Sequence, residues 1–143
     1  MPIEKSEIRT LVPHAGNMCL LDSVLEWDDE SIVCTSETHR DPANPLRRGA
    51  HLSALHAFEY AAQAAAVHGG LVARSAGVPA PPHYLAALRA AHLRVVRLDD
   101  IDSRLEIRAQ RLFGDSGNAV YECRVSAGRV VLADGRLTVM LRT

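Results

Sequence analysis

The residues best suited to chemistry stand close together near the middle of the chain. Glu59 is the one acid in the run from Leu52 to Arg74, LSALHAFEYAAQAAAVHGGLVAR. A carboxyl held among apolar side chains has a raised pKa, stays protonated near neutrality and can act as a general acid. His51 lies just before this run, His56 lies three residues before Glu59, and His39 closes an earlier apolar segment. A neutral imidazole suits the role of base near pH 7. His56 and Glu59 share a helical face and could touch directly. His51 has more freedom to meet a substrate, and in a dimer it would face the acid of the other copy. His51 is placed first, then His56, then His39, and the choice stays open. Each has a plainer alternative: a histidine near a helix start is often a satisfied polar group, and Glu59 could simply pair with a neighbouring His or Arg.

These candidates need a helix and a loop to hold them. Leu52 to Arg74 is rich in Ala and Leu, the best helix formers, with a stop at Gly69-Gly70 or at Gly77-Val78-Pro79. Five alanines (61, 62, 64, 65 and 66) make it small or apolar nearly all round, which predicts a buried helix. Its first N–H groups and its dipole would offer an anion site facing the preceding loop, and Gly49 would let the backbone approach closely. Gln63, one turn beyond Glu59, either orients the acid or bonds to a sheet. The loop itself, Arg40 to Gly49 (RDPANPLRRG), has two prolines, an Asn and a Gly in ten residues and cannot be the interior of a regular element.

Strand-like stretches lie on either side. Met18 to Trp27 and Ser31 to Glu37, joined across Asp28-Asp29-Glu30, read as a hairpin, preceded by a short turn or helix over Ile3 to Leu11 and a Pro13-His14-Ala15-Gly16 loop. After Pro79-Ala80-Pro81-Pro82 come Leu88 to Leu98, Arg104 to Phe113, Ala119 to Ser126 and Arg129 to Leu141. Alternation is clear in Leu105 to Gln110 and Val120 to Val125, the pattern of strands with one wet and one dry face. Dry faces need a common partner, so an α+β arrangement follows, with a curved antiparallel sheet wrapped around the one long helix. The 143 residues are expected to form one domain, residues 1–143.

Composition narrows the function classes. Net charge is −1 and Lys5 is the only lysine, so the broad basic footprint of a nucleic-acid binder is missing. Cys19, Cys34 and Cys123 are too far apart for metal-ligand spacing and read as reduced and buried; no metal or cofactor is expected. No run of 18 apolar residues and no leader pattern occurs, which predicts a cytoplasmic protein without a membrane role. His14, His68, His83 and His92 read as structural or surface residues.

Leu11 to Glu26, LVPHAGNMCLLDSVLE, resembles the opening LPHRxPxLLxDRVLE of bacterial 3-hydroxyacyl-(acyl carrier protein) dehydratases. Glu59-Tyr60-Ala61-Ala62-Gln63-Ala64 is similar to the EALAQ segment of their central helix, and Gly128 to Val131 to their GKVV strand. The loop Asn44 to Arg47 and the helix Glu59 to Gln63 are closer still to the dehydratase-like proteins of aryl polyene and related type II polyketide pathways. The resemblance spans the whole chain and implies the hotdog fold, with dehydration of 3-hydroxyacyl thioesters to trans-2-enoyl thioesters. That reaction needs a base for the α-proton, an acid for the leaving hydroxyl and donors for the thioester oxygen. The resemblance implies Glu59 as the acid, and Asn44, Arg47, Arg48, Gly49 and Gln63 around the substrate. Arg40, Arg47 and Arg48 flank the loop and would receive a phosphopantetheine phosphate or an acidic carrier protein. A departure accompanies the match: the family's loop histidine, fourteen residues before the helix acid, falls on Pro45. Two other readings therefore stay open, a non-catalytic hotdog subunit supporting an active partner and an acyl thioesterase. A homodimer or a pair with a related hotdog subunit is expected, because a lone sheet leaves an open edge.

Overall fold

The structure, a computed structural model, describes residues 2–11, 18–78, 83–115 and 118–141. The turns expected at Pro13 to Gly16 and Pro79 to Pro82 lie outside these residues, as does His14. Strand β1 (Ile3–Glu4) runs into a single helical turn, α1 (Lys5–Ile8). The hairpin β2 (Ser23–Trp27) and β3 (Ser31–Ser36) follows, then the long helix α2 (Ala57–Ser75). Four strands complete the chain: β4 (His83–Leu93), β5 (Leu105–Gly114), β6 (Asn118–Ala127) and β7 (Val130–Leu141). All seven strands form one antiparallel sheet in the order β1-β2-β3-β5-β6-β7-β4.

The core lies between that sheet and α2. Leu105, Ile107 and Ala109 of β5 point inward while Glu106, Arg108 and Gln110 face out, as their alternation predicts. From α2, Ala57, Tyr60, Ala61, Ala64, Val67 and Leu71 are buried against them. Each fully buried Leu or Ile contributes about 1.5–3 kcal/mol, and the alanines let helix and sheet come close. Replacing Ala64 by Leu would overpack that contact at a cost of about 1–3 kcal/mol. Gly135 of β7 makes room for Phe58: a Cβ there would stand 3.2 Å from the ring and 3.3 Å from the backbone of Ala91. The three cysteines are free and buried, and burial pushes the Cys34 and Cys123 thiols up to about 12.

Several boundaries differ from the sequence reading. The α-helix starts at Ala57 rather than Leu52, because Ala54–His56 form a tighter 3-10 turn. It continues through Gly69-Gly70, since Gly70 is where Leu11 packs, with a Cβ at that position only 3.2 Å from the Leu11 side chain. The helix stops instead before Gly77, whose φ of +73° suits a glycine. The strand read as Leu88 to Leu98 lies at His83–Leu93, and it joins the far edge beside β7 instead of preceding β5 in the meander. The first hairpin strand begins at Ser23, five residues later than expected. α2 also keeps one face open: Glu59 is exposed, and Ala62 and Ala66 half-buried, continuing from the exposed Leu55 of the 3-10 turn.

Candidate active site

The loop before α2 is braced from below by a buried polar cluster. The Asn44 amide donates to the Thr38 carbonyl at 2.9 Å and to the Tyr60 hydroxyl at 3.1 Å, while its oxygen accepts from the Leu46 N–H at 2.9 Å. Thr38 and Tyr60 hydroxyls are 2.7 Å apart, and burial raises the Tyr60 pKa. Arg47 donates to the carbonyls of Ala50 (3.0 Å) and His39 (3.2 Å), tying the loop to itself. Above this brace, Arg48-Gly49-Ala50-His51 closes a two-residue hairpin turn, with the Arg48 N–H 2.8 Å from the His51 carbonyl and the return bond 3.1 Å. Gly49 has φ +61°, as the first central residue of such a turn requires, which is the physical reason for a glycine there.

A second set of bonds fixes the segment that follows. Leu52 accepts from the Leu98 N–H at 2.8 Å, and the Ala54 N–H donates to the Val96 carbonyl at 2.9 Å. The Asp99 carboxylate accepts from the Leu52 N–H at 2.7 Å and is gripped by the Arg97 guanidinium. That guanidinium holds the Asp99 carboxyl well below the usual carboxylate range. The result is a groove of about 460 Å³ lined by Leu46, Arg48, His51, Ser53, His56, Val96 and Arg97.

The structure thus brings His51 and His56 to one groove, with Arg48 beside them, and separates the other candidates from it. His39 is fully buried; its Nε2–H donates to the Ile101 carbonyl at 2.9 Å, and Nδ1 has no partner among the described residues. Burial lowers its pKa, and its ring lies outside the groove. Glu59 does not have the apolar surroundings expected of it: it sits in the first turn of α2 on the exposed face, outside the groove. Its neighbours along that face share the exposure in part: Leu55 is exposed, and Ala62 and Ala66 are half-buried. Gln63 accepts from the Leu20 N–H (2.9 Å) and donates to the Met18 carbonyl (2.5 Å), so it ties α2 to the segment just before β2 rather than to a strand of the sheet. Arg40 pairs with Glu37 and donates to the Asp102 carbonyl, so of the three loop arginines Arg48 alone lines the groove.

The expected anion site at the helix start is also altered. The Leu52, Ala54, Leu55 and His56 N–H groups are taken by Asp99, Val96, the Ser53 hydroxyl and the Ser53 carbonyl. Among the described residues, the N–H groups of Gly49, Ala50 and Ser53 keep no internal acceptor. Sequence reasoning missed Arg97 and Asp99; the signal available was an Arg-Leu-Asp-Asp run at the end of an apolar stretch.

Comparison with known proteins decides the family. The profile described as ApeP-like, ApeP dehydratase, matches residues 6–143. The chain belongs to this ApeP-like dehydratase family. Water elimination is accordingly the family's activity, as the resemblance implied, and the family is that of the dehydratase-like proteins of polyene pathways. Among solved structures, the dehydratase heterocomplex ApeI:P from Xenorhabdus doucetiae is 26% identical with a TM-score of 0.87, covering 95% of this chain and 91% of that one. A mutant thioesterase from Pseudomonas aeruginosa shares the fold at 13% identity and TM-score 0.66, covering 96% and 93%. AziG of S. sahachiroi does so at 13% and 0.64, covering 93% and 99%. This ApeP-like chain therefore has the hotdog fold. No curated protein matches it. No described helix is long and apolar enough to cross a membrane.

Proposed function

We propose that this ApeP-like chain is one half of a hotdog pair that eliminates water from 3-hydroxyacyl groups carried as thioesters on an acyl carrier protein. The observation that carries the reading is the convergence of His51, His56 and Arg48 on one groove at the start of α2, in a chain of a dehydratase family. In this reading His51 removes the α-proton, and the electron pair moves into the thioester carbonyl to give an enolate-like oxygen. The unpartnered N–H groups of Gly49, Ala50 and Ser53 meet that charge. The enolate then expels the 3-hydroxyl, a protonated carboxyl supplies its proton, and the products are the trans-2-enoyl thioester and water. Arg48 is placed to receive the phosphate of the carrier's pantetheine arm.

Glu59 fits the acid role only in company. On the single chain it is exposed to water and outside the groove. Covering the open face of α2 with a second hotdog subunit would take it out of water and would let it serve the groove of the other subunit. The ApeI:P structure is a complex of two dehydratase subunits, which supports such a pair here. The cytoplasmic location and the single-domain organisation belong to the same proposal. A supporting, non-catalytic role is favoured by one feature, Pro45 at the position of the family's loop histidine. The test is to incubate 3-hydroxyacyl-acyl carrier protein with the purified chain, alone and with a related hotdog subunit, and to follow loss of water by intact mass. Turnover that vanishes with His51→Ala or Glu59→Gln supports the assignment. Turnover in the pair that survives both substitutions makes this chain the supporting subunit, and release of free thiol makes it a thioesterase.

A further inference from the structure

The peptide that joins His51 to Leu52 has both of its polar atoms taken, from opposite directions. Its carbonyl, on His51, accepts from the Arg48 N–H at 2.8 Å, and its N–H, on Leu52, donates to an Asp99 carboxylate oxygen at 2.7 Å. The next peptide is held as well, because the Leu52 carbonyl accepts from the Leu98 N–H at 2.8 Å. Residues 52–54 and 96–98 thus pair as short antiparallel segments about Ser53 and Arg97. Arg97 and Asp99 act together because residues two apart on an extended chain share a side, while Leu98 between them is fully buried and anchors the segment. The Asp99 side chain is 5% exposed, and a carboxylate taken that far out of water needs donors. Three meet it: the Leu52 N–H, and the Nε and a terminal nitrogen of Arg97. The Arg97 Nε stands 3.1 Å from both carboxylate oxygens, which fixes the plane of the carboxylate as well as its place. The same guanidinium lines the groove beside His51 and His56. The His51 ring has no such support: among the described residues no hydrogen bond holds it, so its direction rests on its backbone.

We propose that Asp99 is a positioning residue for the base: steered by Arg97, it pins the His51–Leu52 peptide and thereby sets the direction from which the His51 ring meets the substrate. The proposal rests on the reading of His51 as the base and adds what holds that base in place. A main-chain carbonyl is enough for the Ala54 N–H, which donates to Val96. At Leu52, one residue from His51, the acceptor is instead a carboxylate, which makes the stronger, charge-assisted bond. Without it the Leu52 N–H has no acceptor, the peptide turns about the bonds on either side, and the ring swings with it. A displacement of a reacting group by about 1 Å costs on the order of 100-fold in rate. Asp99 touches no reacting atom in this scheme; it acts through the backbone of its neighbour.

The test compares the full wild-type chain with Asp99→Ala, Asp99→Asn and His51→Ala, each assayed in the pair on 3-hydroxyacyl-acyl carrier protein, well below its melting temperature. Asp99→Ala is expected to lower kcat by about 10- to 100-fold while KM stays within about threefold. Asp99→Asn keeps an oxygen for the Leu52 N–H but loses the grip of Arg97, and is expected to lose about three- to tenfold in kcat. Being almost the same size as Asp, it keeps the test decisive should Asp99→Ala fail to fold. A second readout needs no turnover: the imidazole C–H signal of His51 in the NMR spectrum, assigned by its loss in His51→Ala. It is expected to broaden or split in both Asp99 variants as the ring takes more than one setting, while the signal of His68, at the far end of α2, stays as it is. A purely structural Asp99 would lower the melting temperature and leave the His51 signal and kcat alone, which overturns the proposal, as does a rise in KM without a fall in kcat. Turnover that survives His51→Ala removes the reading of His51 as the base, and the proposal with it. Turnover abolished by His51→Ala but untouched by both Asp99 variants leaves that reading standing and overturns the positioning role alone.

Discussion

Along α2 two histidine environments lie about 18 Å of helix apart and are built in opposite ways. His68 is fully buried; its Nε2–H donates to the Asp28 carbonyl at 2.8 Å, and its Nδ1 accepts from the Tyr121 hydroxyl at 2.6 Å. The two rings meet edge to face at 5.5 Å, and burial lowers the His68 pKa while it pushes the Tyr121 phenol up to about 12. Every polar atom there is spoken for. At the other end, His51 and His56 border an open groove in which no internal bond holds either ring among the described residues. The comparison teaches that accessibility and free hydrogen-bonding capacity go together at one end of the helix and are both missing at the other: His68 is closed off with its bonds complete, whereas His51 and His56 keep unused nitrogens beside an open groove.

That contrast can be broken most directly through activity. His51→Ala, assayed in the pair, is expected to lower kcat by about 100- to 10,000-fold, with thermal unfolding hardly moved. A loss of stability without loss of turnover would erase the distinction. His68→Ala should do the reverse: it leaves the Tyr121 hydroxyl and the Asp28 carbonyl without their partner and opens a cavity. The expected cost is about 2–4 kcal/mol, or a Tm lower by roughly 5–15 °C by calorimetry. Acid titration probes the same region more gently. The unfolded chain protonates its histidines near pH 6.5, whereas folding depresses the pKa of His68 and of His39. Their contribution is complete above about 6.5 and is lost as the pH falls from there through the folded values, so stability should rise with pH across that window. Denaturant midpoints at pH 5 and pH 7 would show it, and His68→Phe should flatten the slope. The smallest effect is expected at Gly49→Ala, about 1 kcal/mol from forcing a side chain to φ +61°, with a larger effect on KM than on Tm if the turn positions the substrate.

The sequence was most legible where one period dominated. β5 and β6 alternate cleanly because each has one face on α2 and one in water, and the alanine-rich helix declared itself by composition. β4 was misplaced because LAALRAAHL sets alanine on both faces of an edge strand, so no alternation reports its position. Glu59 was misjudged for a related reason: alanine counts as buried or exposed with equal ease, and sequence does not say which flank of a small-residue helix the sheet leaves open. The histidines divided by partner rather than by neighbour in sequence. His68 was rightly left to the framework, but nothing near His39 in the chain announced the Ile101 carbonyl sixty-two residues away.

The seat of Phe58 over Gly135 bears on how the two ends of α2 act together. The ring stands against a position where even a methyl group would crowd both it and the backbone of Ala91. An alanine at Gly135 would therefore press on that ring, which has to yield by a few tenths of an ångström to admit it. Glu59 is the next residue, so the substitution would reach the candidate acid through its neighbour while leaving every ionisable group in place.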